Sequence, residues 1–135
     1  VNMSLMTVAS LKSTILQIKD IPASETVGYM RNGKFSRDTR IAMIPIGYAD
    51  GYDRRLGNGN FYMMVNGHRC PTLGNVCMDV TFIDITDCPE AKEGDTVEIF
   101  GNDLPLQEMA QQLGTINYEV LSTVSVRVKR VYYKE

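Results

Sequence analysis

FYMMVNGHRCP, Phe61 to Pro71, sets the architecture of this chain. An apolar run enters Asn66-Gly67, and a second short run leaves it. Asn-Gly tolerates positive φ at both central positions, which a two-residue hairpin turn requires, so Phe61–Val65 and His68–Pro71 are expected to pair as antiparallel strands. Downstream, NVCMDVTFIDI (Asn75–Ile85) alternates: Val76, Met78, Val80 and Phe82 face one way, and Cys77, Asp79, Thr81, Ile83 and Ile85 the other. Thr96–Phe100 follows a charged loop holding Pro89 and Gly94 and reads as another strand. Upstream, Ser13–Ile18 (STILQI) and Arg40–Ile46 (RIAMIPI) have strand character, with Pro45 marking an edge or a bulge at the end of the second. A short strand near Thr26–Met30 is followed by turn chemistry at Arg31-Asn32-Gly33-Lys34.

Helical periodicity appears late. Leu106, Met109, Ala110 and Leu113 fall at i, i+3, i+4 and i+7, and Gly114 is a natural stop. Ile116–Val124 suits a second short helix, and Val126, Val128 and Val131 a last strand. Helical segments do not alternate with strands, which argues against parallel βαβ units. The expected fold is mainly β, a barrel or sandwich with one or two short helices near the C-terminal end.

The 135 residues suit one domain, with 44% apolar and 22% charged residues, ordinary values that exclude a disordered chain. The net charge of -2 gives no basic field for nucleic acid, and no apolar stretch approaches a membrane span. Cys70, Cys77 and Cys88 lack CxxC spacing, and only His68 could join them at a metal; they read as reduced thiols of a cytoplasmic protein, with no metal expected. The chain begins Val1-Asn2, without an initiator methionine, and so reads as a piece of something longer.

Four stretches are richer than structure alone requires: VGYMR (Val27–Arg31), IGYADGYDRRL (Ile46–Leu56), NVCMD (Asn75–Asp79) and INYEV (Ile116–Val120). Taken singly, each tyrosine is read as an amphipathic core-edge residue, and Asp50 and Asp53 as turn formers. Arg54 and Arg55 are read as a solvated pair, and Met78 as core.

Their order, completed by RVKRVY near the end, resembles the C-terminal domain of alanine racemase over nearly the whole chain, from about Ser10 to Tyr133. The resemblance implies a single C-terminal β-barrel domain over residues 1–135, with 1–10 connecting it to an N-terminal barrel. It implies a homodimeric isomerase that uses pyridoxal 5'-phosphate to interconvert L- and D-alanine for cell-wall precursors. The cofactor's lysine belongs to the N-terminal barrel; Lys12, Lys19, Lys34, Lys92, Lys129 and Lys134 do not lie in such a motif, so this chain alone is expected to be inactive.

By the same resemblance, Tyr29 is the acid-base group on the face of the substrate opposite that lysine. Met78 offers its backbone N–H to the substrate carboxylate, Asp79 lines the same pocket, and Tyr48 narrows the approach. Arg54 and Ile116 stand at the substrate entrance, while Tyr118 donates to the cofactor phosphate of its own subunit. Tyr29 and Met78 serve the partner's site, so the active site is shared. Asp50 and Gly51 shape the turn, and Asp53 is assigned to solvent. The sequence departs from the family at Asn75, where an arginine is common, and at Met30, where glycine is common. Two other readings are a broader-specificity racemase or decarboxylase of similar plan, and a non-catalytic β-barrel assembly module.

Overall fold

The computed structural model describes residues 10–22 and 38–114. They form seven strands: β1 (Leu11–Thr14), β2 (Gln17–Ile21), β3 (Thr39–Ile44), β4 (Tyr62–Val65), β5 (His68–Leu73), β6 (Thr81–Asp84) and β7 (Thr96–Phe100). One helix, α1 (Leu106–Leu113), follows among the described residues. The strands make one sheet in the order β1-β7-β4-β5-β6-β3-β2, with every pairing antiparallel.

The order of the strands forces the sheet to curl. β1 and β2 end the list on opposite sides, and a flat sheet would hold them six spacings of ~4.8 Å, about 29 Å, apart. Only Ile15 and Leu16 separate them in sequence, and three Cα steps reach at most about 11 Å. The two edges must therefore meet at this link. Backbone hydrogen bonds show that they do: the Ile15 N–H donates to the Asp95 carbonyl beside β7 (3.0 Å), and the Leu16 N–H to the Met43 carbonyl on β3 (2.9 Å). The single strand expected over Ser13–Ile18 is thus two strands. A barrel in which one chain segment passes from one edge to the other has to break the ladder there.

The Asn66-Gly67 hairpin forms as its chemistry demands. Asn66 has φ 50° and Gly67 φ 81°, and the flanking register runs from Val65↔His68 to Tyr62↔Pro71. The register then places one face of every strand inward. Met63 opposes Cys70, Val65 opposes Val97, Thr72 opposes Ile83, and Ala42 opposes Ile83 from the other side. All of these are buried and form the barrel interior with Ile44, Ile85 and Ile99. At ~1.5–3 kcal/mol for each large aliphatic side chain removed from water, this interior is the main source of stability. A smaller cluster, Ile21, Ile41 and Phe82 with Met43, Leu73 and Val80, occupies the outer face of β2, β3 and β6.

Two expected strands are shorter than their sequence patterns. β3 stops at Ile44, one residue before Pro45, which has no N–H to continue a ladder. β6 covers only Thr81–Asp84, so the first six residues of the alternating run over 75–85 are loop. Residues 75–79 pair instead with the 47–49 loop, as described below. Helix α1 buries Leu106, Met109 and Ala110 and ends where Gly114 adopts φ 68°. Arg69 on β5 binds Glu108 of α1 through two N–H···O contacts of 3.0 Å each. The Tyr62 hydroxyl donates to the same carboxylate at 2.6 Å, beneath the Arg69 guanidinium. This arrangement clamps the helix to the β4–β5 hairpin. The strand at Thr26–Met30, the turn at Arg31–Lys34, and the helix and strand expected beyond Gly114 lie outside the described residues.

Candidate functional site

The IGYADGYDRRL stretch leaves the end of β3 and crosses one end of the barrel. Two buried threonines on neighbouring strands hold it. The Thr81 hydroxyl donates to the Ile46 carbonyl (2.6 Å) and the Thr72 hydroxyl to the Leu56 carbonyl (2.7 Å). Between these points Tyr52 and Leu56 turn inward and are buried. The two tyrosines of GYADGY therefore have opposite fates. Tyr52 plugs the barrel end, whereas Tyr48 remains 42% exposed.

The Tyr52 hydroxyl is buried without a hydrogen-bond partner among the described residues. Burial pushes this phenol well above its ordinary titration range. The expectation that such a tyrosine keeps its hydroxyl near water fails here, because the loop is pulled down at both ends.

A second loop, NVCMD, lies flat against the first. The Tyr48 N–H donates to the Cys77 carbonyl and the Ala49 N–H to the Met78 carbonyl, each at 3.0 Å. Gly47 permits this approach: a Cβ there would lie 2.2 Å from the Cys77 carbonyl oxygen and 2.5 Å from that of Met78. Asp50 closes the turn from within, its buried carboxylate accepting the Gly47 N–H at 3.0 Å. That is the turn-forming role expected of it. The loops meet again further along, where the Asn58 N–H donates to the Gly74 carbonyl (2.7 Å) and the Asn58 amide to the Asn75 side chain (3.1 Å). Asn75 thus binds the neighbouring loop at the position where an arginine is common.

This docking creates a surface. Met78 is 53% exposed beside Tyr48, and it is not core as its apolar alternation suggested. The Arg54 guanidinium sits 5.3 Å from the Tyr48 ring centroid, a cation–π distance. Asp79 is exposed next to Met78 and not buried near a strand. Tyr48, Arg54, Met78 and Asp79, expected from two motifs far apart in sequence, come together at one end of the barrel. Tyr29, Ile116 and Tyr118 lie outside the described residues.

Arg54 and Arg55 are both exposed, as expected of a solvated pair, but each has its own partner. Asp53 accepts from the Arg55 backbone (2.8 Å) and from its guanidinium (3.0 and 2.8 Å). Arg55 also reaches the Leu113 carbonyl at the end of α1 (3.3 Å). The Arg55 hydrogen bonds hold the Asp53 carboxyl below its ordinary range. Asp53, assigned to solvent from sequence, therefore fixes Arg55 toward the helix, while Arg54 turns to Tyr48. Sequence reasoning also passed over Thr72 and Thr81, which carry no motif. Gly47 lay within the motif, but its close approach becomes visible only once the partner loop is known.

The alanine racemase C-terminal domain family model matches residues 8–132. Alanine racemase 1 of Clostridium acetobutylicum is 42% identical over 98% of this chain, and the Vibrio cholerae alanine racemase 40% identical over 93%. The chain spans about a third of their length, 35% in both cases. Among solved structures, the biosynthetic alanine racemase of Pseudomonas aeruginosa superposes with a TM-score of 0.84 at 38% identity, covering 93% of this chain and 35% of that one. The Bartonella henselae alanine racemase with covalently bound pyridoxal phosphate gives 0.86 at 35% identity, covering 92% and 34%. Over nearly its whole length, then, this chain belongs to the alanine racemase C-terminal domain family.

Proposed function

We propose that this chain forms one wall of the active site of a pyridoxal phosphate-dependent alanine racemase, working as a cytoplasmic homodimer that supplies D-alanine for the cell wall. The observation that carries this reading is the backbone docking of the 47–49 loop on Cys77 and Met78, which sets Tyr48, Arg54 and Met78 on one accessible surface. Residues 1–135 would act as a single β domain, with 1–10 leading from an N-terminal barrel. Contact between this chain and the cofactor phosphate is assigned, by the resemblance to the family, to Tyr118, whose hydroxyl can donate to a phosphate oxygen.

When bound, the cofactor supplies the electron sink that makes the Cα proton removable. This chain supplies position and one proton-transfer group. Arg54 draws a small carboxylate toward the barrel end, and its seat beside the Tyr48 ring keeps that charge directed. Tyr48 and Ile116 narrow the approach so that only a small amino acid passes. The Met78 N–H donates to the substrate carboxylate, and Asp79 lines the same pocket. Fixing the carboxylate fixes which face of Cα is presented. Tyr29 then takes or returns the proton on one face, while the lysine of the partner's barrel serves the other. A phenol titrates near pH ~10 when unperturbed, so this role requires cationic or hydrogen-bonding neighbours that favour the phenolate.

The test is Tyr29→Phe in the full-length enzyme, with solvent deuterium incorporation followed from each alanine enantiomer separately. Exchange should fall selectively from the enantiomer whose proton faces Tyr29, with cofactor absorbance retained. Small, equal losses from both enantiomers would refute the assignment.

A further inference from the structure

At the end of β5 where His68 begins the strand, away from the Leu73 end that leads into the 75–79 loop, three metal-ligating groups of different chemistry converge. The Nε2 atom of His68, the Sγ atom of Cys88 and a carboxylate oxygen of Glu90 all lie within 4.8 Å of one another. We propose that these three residues bind a zinc-type divalent cation, with water as the fourth ligand.

The fold holds all three donors in place. His68 is the first residue of β5, fixed by the hairpin through its pairing with Val65. Cys88 and Glu90 lie in the turn after β6. The Cys88 N–H donates to the Ile85 carbonyl (2.9 Å) and the Ala91 N–H to the Cys88 carbonyl (3.0 Å), so the segment carrying both side chains is locked at each end. Cys88 is buried, whereas the side chains of His68 and Glu90 are 48% and 51% exposed. A cation can thus enter from solvent and keep one position for water.

The donor set and the spacing point to the same ion. Imidazole, thiolate and carboxylate together suit zinc better than calcium or magnesium, which take oxygen ligands. With bonds of ~2.0–2.3 Å, tetrahedral coordination separates its ligand atoms by roughly 3.3–3.6 Å. The Cys88 Sγ to Glu90 Oε1 distance is already 3.5 Å. The His68 Nε2 to Glu90 Oε1 distance is 2.9 Å, so these two exposed side chains must part by only about 0.5 Å to admit the ion. As the sulfur–metal bond forms, the Cys88 proton leaves to solvent and the His68–Glu90 contact is replaced by two metal bonds. The ion would staple the β4–β5 hairpin to the loop before β7.

The experiment is titration of the full chain with cobalt(II), followed by competition with zinc(II). Thiolate-to-cobalt charge-transfer absorption should saturate at one equivalent and vanish as zinc displaces it. Cys88→Ser should abolish the band, and His68→Asn and Glu90→Gln should each weaken binding by at least about tenfold, while Cys77→Ser leaves it intact. His68 and Glu90 are exposed, so their variants decide the matter even if Cys88→Ser fails to fold. Absence of the band at millimolar cobalt, a band lost with Cys77→Ser, or binding unchanged in both exposed variants would each overturn the site.

Discussion

Gly47→Ala should undo the contact on which the candidate site depends. A methyl group at this position would lie 2.2 Å from the Cys77 carbonyl oxygen, 2.5 Å from that of Met78 and 2.6 Å from the Met78 carbonyl carbon. All three are backbone atoms, so no side chain can swing away to relieve the contact. Gly47 itself has φ -148°, an extended conformation open to alanine, so the cost is entirely the clash. Restoring normal contact requires the loops to separate by about 1 Å, which takes both 3.0 Å bonds, Tyr48 N–H to Cys77 and Ala49 N–H to Met78, beyond hydrogen-bonding range. Two backbone hydrogen bonds at ~0.5–1.5 kcal/mol each, with some cost for groups left unpaired, give a loss of about 2–4 kcal/mol. At roughly 3–4 °C per kcal/mol for a chain of this size, the melting temperature should fall by about 6–16 °C. The comparator is Gly67→Ala. There φ is 81° with nothing within 4 Å of the added methyl, so only left-handed strain of ~1–2 kcal/mol is expected. Urea unfolding followed by circular dichroism measures both. In the full-length enzyme, Gly47→Ala should also raise the KM for alanine, because Tyr48 and Met78 move apart, whereas Gly67→Ala should not. A Gly47→Ala chain within about 0.5 kcal/mol of the parent, with unchanged KM, would refute the reasoning.

Tyr52→Phe removes a hydroxyl that is buried without a partner among the described residues, so stability should hold or rise by up to about 2 kcal/mol; a loss above about 1 kcal/mol would show that the hydroxyl is bonded. Of the three thiols, Cys77 is the one partly exposed and should be the one that a disulfide reagent labels in the folded chain. Cys70 should stay silent as pH rises from 7 to 9 (roughly the range in which ordinary thiols ionise), because burial and neighbouring negative groups push its thiol up to about 12. Since that folded value lies above the unfolded one, the associated stability is present at neutral pH and is lost as pH climbs toward 12; fast labelling of Cys70 below pH 9 would contradict this. Mixing a full-length Tyr29→Phe subunit with one lacking the cofactor lysine should restore activity that neither homodimer shows, since one of the two sites then holds both groups; verified heterodimers as inactive as the parents would place tyrosine and lysine on the same chain.

Residues 61–71 determined their own structure: Asn66-Gly67 selects the turn, the turn sets the register, and the register decides which side chains enter the core. The helix at Leu106–Leu113 was equally legible, because its apolar spacing and Gly114 stop act within a few residues of one another. The motifs singled out Tyr48, Arg54 and Met78, which the fold brings to one surface. What they could not convey was that Asn75–Asp79 abandons its strand-like alternation to lie against Gly47–Ala49. Alternation is a local signal, whereas the docking depends on a carbonyl nearly thirty residues away. The same holds for STILQI, whose strand propensity is uniform but which breaks at Ile15–Leu16 because the two edges of the curled sheet meet there. Burial of Tyr52 beside an exposed Tyr48, the separate partners of Arg54 and Arg55, and the convergence of His68, Cys88 and Glu90 were decided by the curled sheet alone. Sequence specifies each segment's conformational preference; the curl of the sheet decides which segments become neighbours, and electrostatic and packing energies act only between neighbours.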